Sequence, residues 1–206
     1  MTASELPPSI SPSIDFHSLI EEAVLSIKAA SLEKYGCSPS VSLKGLPNSP
    51  VPCLSIPALL HTSLLELLKN ALKATVEKCG VLGLEDAAPI VIDVKVEGEQ
   101  VRLSVADEGV GLSSARADGF SWFSSEWGTR SGDHRVVEGE DWRYSRSFGA
   151  PLFGAGVGLA RTSINCKLHG GSLSLSPGPA AVGACATLLL NAQGRVPFEA
   201  LPLTHS

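Results

Sequence analysis

The chain has 206 residues, 44% of them hydrophobic, and no apolar run near the roughly eighteen that a membrane-spanning helix needs, so it reads as a soluble globular protein with material for one core. Sixteen Lys and Arg against 21 Asp and Glu leave a net charge of −5 without a basic cluster, which argues against nucleic acid as a partner. The five cysteines (Cys37, Cys53, Cys79, Cys166, Cys185) are widely spaced with no CxxC pair, and read as buried thiols in a reducing compartment rather than a disulfide framework or zinc site.

The opening "MTASELPPSISPSID" is rich in Ser and Pro, lacks Arg and has no apolar core of a leader peptide, so residues 1–13 are expected to be a disordered lead-in. Residues 16–34 then show helical spacing (Phe16, Leu19, Ile20, Ala23, Val24, Ile27, Leu32), stopped by Gly36 and Pro39. The short runs "SVSLKG" and "VPCLSI", separated by "LPNSP", have the pattern of a hairpin with a longer loop. A second helix starts at Pro57 and ends near Gly80.

That second helix is two-faced. At about 100° per residue, Glu66, Asn70, Lys73 and Glu77 fall in one narrow arc, while Leu64, Leu67, Leu68, Ala71, Leu72 and Thr75 fill the opposite one. The polar column is either a solvated face with an i,i+4 pair or the lining of a site. Beyond it, "PIVIDVKVEGEQVRLSVAD" alternates as two strands around Glu97, Gly98 and Glu99, where the glycine supplies the positive φ of a tight turn. From Leu112 to Leu152 composition shifts to Ser, Gly, aromatic and charged residues without periodicity, a length that within a compact domain is functional or disordered. A glycine-rich start leads the helix of "GAGVGLARTSINCKLHGG", and "SLSLS" with "ACATLLL" forms a last pair of strands.

Hairpin-linked strands segregated from helices indicate a two-layer α/β sandwich, its mixed and mainly antiparallel sheet covered on one face by helices. A dinucleotide fold is a poor fit, because the glycines of "GAGVGL" follow an irregular loop rather than a strand. Three stations remain: "ELLKNALKA" on a helix, "DEGVGL" after a strand, and "GAGVGL" at a helix start. Singly, each also fits a turn or a surface. Together they carry what a nucleotide site needs: an acid for an exocyclic amine, glycines that let backbone N–H groups approach phosphate, an amide oxygen for Mg²⁺ and a carboxylate one turn away as a base.

The ordered ExxxN, DxGxG and GxGxG motifs, with a long loop between the last two, resemble the ATP-binding (Bergerat-type) domain of the GHKL superfamily of gyrase, heat-shock 90, MutL and histidine-kinase ATPases. Within it, "ELLKNALKATVE" is similar to the E-L-x-K-N-A-x-(R/K)-A-T helix of the mitochondrial pyruvate dehydrogenase and branched-chain α-ketoacid dehydrogenase kinases. "FSWFSSEW", "PLFGAGVGL" and "HGGSLSL" are similar to their lid segment, lid-closing glycines and following turn and strand. The resemblance covers residues 14–198, with a lid at about 112–152 and a tail at 199–206.

The resemblance implies a protein-serine kinase domain that uses ATP and Mg²⁺ on a 2-oxoacid dehydrogenase E1 subunit. Glu66 would be the base and Asn70 the magnesium ligand, with Lys73 beside them at the nucleotide. Asp107 would contact adenine, and Gly109 and Gly111 would let the nucleotide lie against the backbone. Ser124 and Ser125 would lie on the lid, and Gly154, Ala155, Gly156, Val157, Gly158 and Leu159 would wrap the phosphates. It further implies the mitochondrial matrix, with the cytosol as the alternative, a homodimer, and a lipoyl-bearing core engaged through a helical docking domain that this sequence does not contain. The sequence departs from the family at Thr62, where these kinases carry His, at Glu108 for Arg, at Ala184 for Thr, and at Ala160 and Ser163 for Pro and Arg. Those departures keep a second hypothesis open: a nucleotide-binding module without transfer activity, either a degenerate kinase or a conformational switch.

Overall fold

The computed structural model describes residues 10–112 and 158–192. In chain order these form β1 (Ser11–Ile14), α1 (Phe16–Tyr35), β2 (Val41–Lys44), β3 (Val51–Ser55), α2 (Pro57–Cys79), β4 (Ile90–Glu97), β5 (Gln100–Asp107), α3 (Gly158–Leu168), β6 (Ser172–Pro177) and β7 (Ala184–Asn191). Five strands make one sheet in the order β2-β4-β5-β7-β6, parallel between β2 and β4 and antiparallel elsewhere. This is the expected mixed α/β sandwich.

The layers follow from the period of the apolar residues. In β4 and β5 alternate positions are buried, with Ile90, Ile92 and Val94 facing Val101, Leu103 and Val105 into one core. The paired strands turn through Gly98 and Glu99, where Gly98 has φ 60°, as the sequence predicts. Helix α2 packs on β4 and β5 and touches α1 and α3, so it lies between the other two described helices. Its buried stripe (Leu60, Leu64, Leu67, Leu68, Ala71, Leu72) has the 3.6-residue period, and replacing one such leucine by alanine typically costs about 2–5 kcal/mol. Pro57 starts the helix at its first turn, where no N–H is needed, and Gly80 at φ 70° ends it.

Two expectations are corrected. The runs "SVSLKG" and "VPCLSI" are strands, β2 and β3, but they do not form a hairpin: β2 runs parallel to β4, whereas β3 pairs antiparallel with β1 in a separate two-stranded ribbon. The chain leaves β2 through Gly45 at φ 62°, where a side chain would overlap the Val94 carbonyl of the neighbouring β4. The stretch assigned to the lead-in also contains structure, since Ser11–Ile14 is β1. Ile14, buried against the core, anchors it, and Asp15 immediately caps α1 by accepting from the N–H groups of His17 and Ser18. Within α1, Leu32 points outward while Ser31 takes the inward position, its hydroxyl donating to the Cys37 carbonyl at 2.7 Å.

Candidate functional site

The polar column of α2 is not uniformly solvated. Glu66 is 12% exposed at its side chain and Lys73 23%, while Asn70 between them and Glu77 at 47% are open to water, so it is Glu66 that is most withdrawn. What covers Glu66 is the first turn of α3. Its Oε1 accepts from Lys69 Nζ at 2.7 Å, a local i,i+3 partner, and from Arg161 Nη2 at 2.7 Å, which arrives from α3. Gly158 opens α3 against the same carboxylate: a Cβ built there would lie 2.5 Å from Oε2. Asn70, one turn beyond, is exposed, and Lys73 pairs with Glu77 at 3.6 Å.

Asp107 ends β5 and is only 6% exposed. Its Oδ1 accepts the Gly109 N–H at 2.8 Å. Burial pushes its carboxyl above the usual carboxylate range, opposed by the Gly109 and Ala184 N–H groups and the charge of Lys78. The turn after it is clamped on two sides. A side chain at 109 would overlap the backbone of Ala74 on α2, and the Val110 N–H donates to the Ala74 carbonyl at 3.2 Å. A side chain at 183, where φ is 67°, would overlap the Asp107 carbonyl, and Gly111 at φ 78° lies against the Gly183 carbonyl. Gly109 is therefore required by close packing on α2, which is why this turn carries a glycine whatever else approaches it.

The described structure places Glu66, Asn70 and Lys73 on one face of α2, sets Gly158 of α3 against Glu66, packs Leu159 on the hydrophobic core, sets Gly109 after Asp107 against Ala74 of α2, and turns Gly111 toward Gly183 instead. Ser124, Ser125, Gly154, Ala155, Gly156 and Val157 lie outside the described residues. Thr62, at the position where the resemblance leads one to look for a His, donates its hydroxyl to the Ala58 carbonyl at 2.8 Å and so is engaged within its own helix.

Sequence reasoning missed Lys69 and Arg161, and with them a buried polar chain between α2 and α3. Asn165 Nδ2 donates to Ser63 Oγ at 3.0 Å, the Ile56 N–H donates to His169 Nε2 at 3.0 Å, and His169 Nδ1 lies 2.6 Å from the Asn165 carbonyl. With Nε2 accepting, Nδ1 carries the proton and donates, so this neutral ring ties the start of α2 to the end of α3. The i,i+3 spacing of Glu66 and Lys69 was a usable local signal. Nothing local announces Arg161.

Among the described residues no group of three or more His, Cys, Asp or Glu is arranged to hold a metal ion. A hard cation at Asn70 would thus draw most of its ligands from phosphate and water, which is how Mg²⁺ sits in nucleotide sites. The two cations around Glu66 leave positive charge that suits an anionic group, and the buried Asp107 carboxylate suits a hydrogen-bond donor.

A one-sided α/β sandwich with these stations on its central helix and strand end defines a kinase-like, ATP-binding domain. The chain belongs to the histidine kinase-, DNA gyrase B- and HSP90-like ATPase family, which residues 56–194 match. It is similar to the mitochondrial pyruvate dehydrogenase (acetyl-transferring) kinase isozyme 4 of Ictidomys tridecemlineatus, 29% identical over 200 residues that cover 95% of this chain and 45% of that protein. The isozyme 4 of Homo sapiens is 28% identical with the same coverage, and the mitochondrial pyruvate dehydrogenase kinase of Schizosaccharomyces pombe 27% identical over 81% of this chain and 38% of that protein. The chain thus spans about half the length of the curated relatives it matches. No described helix is long and apolar enough to cross a membrane.

Proposed function

We propose that the chain is the catalytic domain of an ATP-dependent protein-serine kinase of the mitochondrial dehydrogenase-kinase type, acting on a serine of a 2-oxoacid dehydrogenase E1 subunit in the mitochondrial matrix. The observation that carries this reading is the setting of Glu66: a carboxylate largely withdrawn from water where α2 meets α3, one turn from Asn70. A base needs that placement, fixed in position and away from bulk solvent. The relatives support it by being named kinases of pyruvate dehydrogenase. Engagement of a lipoyl-bearing core through a docking domain, and a homodimer, belong to the same proposal.

When bound, ATP supplies the transferable phosphoryl group and Mg²⁺ neutralises its charge. Glu66 takes the proton of the substrate hydroxyl, while Lys69 holds the carboxylate in place through Oε1. Asn70 offers an amide oxygen to the metal, and Lys73 a charge to the phosphates. Asp107 receives the exocyclic amine of adenine in a water-poor setting, where one hydrogen bond discriminates strongly. Gly109 and Gly111, packed against Ala74 and Gly183, would let the nucleotide lie against the backbone of their turn, Ser124 and Ser125 would lie over it, and Gly154, Ala155, Gly156, Val157, Gly158 and Leu159 would wrap its phosphates. Such sites act by positioning and electrostatics.

A second reading, nucleotide binding without transfer, is favoured by one observation: Oε1 of Glu66 is occupied by two cations and Thr62 does not reach it. Calorimetric titration with Mg-ATP followed by transfer to an E1 subunit separates the two. Binding with transfer supports the kinase; binding without transfer, even when the chain is joined to a docking bundle, supports the switch; no binding removes both.

A further inference from the structure

The ionic cluster at the junction of α2 and α3 is unequal. Glu66 is shared by Lys69 and Arg161, which leaves one surplus positive charge. Lys69 is 17% exposed and local to the helix, whereas the Arg161 side chain is 50% exposed and comes from another element. Arginine binds a carboxylate most firmly through two parallel N–H bonds, yet Arg161 touches Glu66 through Nη2 alone, on an oxygen it shares with Lys69. If Arg161 departs, Glu66 keeps Lys69, so no carboxylate is left buried and unpaired.

We propose that Arg161 reads the terminal phosphate of a nucleoside triphosphate, leaving Glu66 for that phosphate when it arrives and so making the site prefer tri- over diphosphates. This rests on the nucleotide site proposed above. Arg161 stands on the first turn of α3, three residues beyond Gly158, and Gly158 itself lies against Glu66. A phosphate is the stronger claimant, because it offers several charged oxygens to a fork that Glu66 engages at only one point. Glu66 and the terminal phosphate thus compete for one guanidinium, and arrival of the triphosphate unties the carboxylate that is to act as base. With a diphosphate bound, Arg161 stays on Glu66.

The test is equilibrium binding of ADP and of adenylyl-imidodiphosphate, both with Mg²⁺, to the whole chain and to Arg161→Leu, Arg161→Lys and Glu66→Gln. Wild type should prefer the triphosphate analogue. Arg161→Leu should lose about tenfold of that preference, the worth of one charge-assisted contact, with ADP affinity within about twofold of wild type. Arg161→Lys should restore part of it. Glu66→Gln, by removing the competitor, should raise the preference severalfold. Equal losses for both nucleotides in Arg161→Leu, or a lowered melting temperature with an unchanged preference, overturn the proposal and leave the ion pair a structural one. A wild-type chain that binds both nucleotides without distinguishing them overturns this inference alone; one that binds neither overturns the nucleotide site as well.

Discussion

Gly158, the first residue of α3, stands so close to Glu66 of α2 that a methyl group at 158 would sit 2.5 Å from the Glu66 carboxylate oxygen. The obstacle is the far end of a flexible side chain, and Gly158 has no positive φ to strain, so the backbone tolerates the change. Gly158→Ala should therefore shift stability by less than about 1 kcal/mol, helped by the better helix propensity of alanine. The crowded oxygen is Oε2, so the carboxylate must shift and carry with it the Oε1 that Lys69 and Arg161 share. The expected result is a nearly unchanged melting temperature with nucleotide preference and phosphoryl transfer both altered; a normal rate and preference would show that the position of Glu66 does not matter.

Asp107 sets stability against recognition. Burial raises its folded pKa above the ordinary value of 3.8, so the folded state favours the protonated form. Its contribution is most favourable below that ordinary value, and stability is lost as pH rises from there through the raised folded value. Asp107→Asn removes the buried charge while its Oδ1 can still accept from Gly109. Its melting temperature at pH 7 should equal or exceed that of wild type, with the difference vanishing in acid where Asp107 is neutral. Nucleotide affinity should fall by about 1–3 kcal/mol, because an amide N–H₂ replaces an acceptor that adenine's amine needs. Wild-type affinity in this variant would release Asp107 from the adenine role.

The sequence disclosed whatever was written in a local period. The leucines of α2 placed both its core stripe and its polar column, and Gly98 placed the β4–β5 turn, because each rests on residues within a few positions of one another. Pairing partners were not legible. Strands of four and five residues such as β2 and β3 carry too few alternating positions to say whether they join each other or distant neighbours. The site divided in the same way: Glu66, Asn70 and Asp107 stood in short motifs, whereas Arg161 lies 95 positions from Glu66, and Asn165 lies 102 from Ser63. Gly109 was legible as a glycine, but its contact with Ala74 emerges only when strand and helix are packed.

Thiol chemistry offers a check on the core that is independent of nucleotide. Burial pushes Cys53 up to about 11 and Cys166 up to about 12, so at pH 8 both are protonated as well as shielded. Cys37, Cys79 and Cys185 are partly exposed. A maleimide should label no more than three sites quickly on the native chain and all five after denaturation, with peptide mapping placing the slow pair at Cys53 and Cys166. Fast native labelling of Cys166 would mean that α3 does not stay packed in solution.

Catalysis and binding separate on α2. Glu66→Gln keeps the shape of the side chain and one acceptor oxygen for Lys69 but cannot take a proton. If Glu66 acts on the substrate hydroxyl, this variant should lose phosphoryl transfer to an E1 serine by at least about a hundredfold, the lower range for removing a general base, while ADP affinity stays close to wild type. Asn70→Ala should weaken both, since the amide is to hold the metal on which phosphate binding depends. The contrast between the two variants carries the argument, because a merely structural role for the column would lower stability in both and transfer only in proportion. A Glu66→Gln chain that still phosphorylates at the wild-type rate removes Glu66 as the base. An Asn70→Ala chain with unchanged magnesium dependence of nucleotide binding removes Asn70 as the ligand.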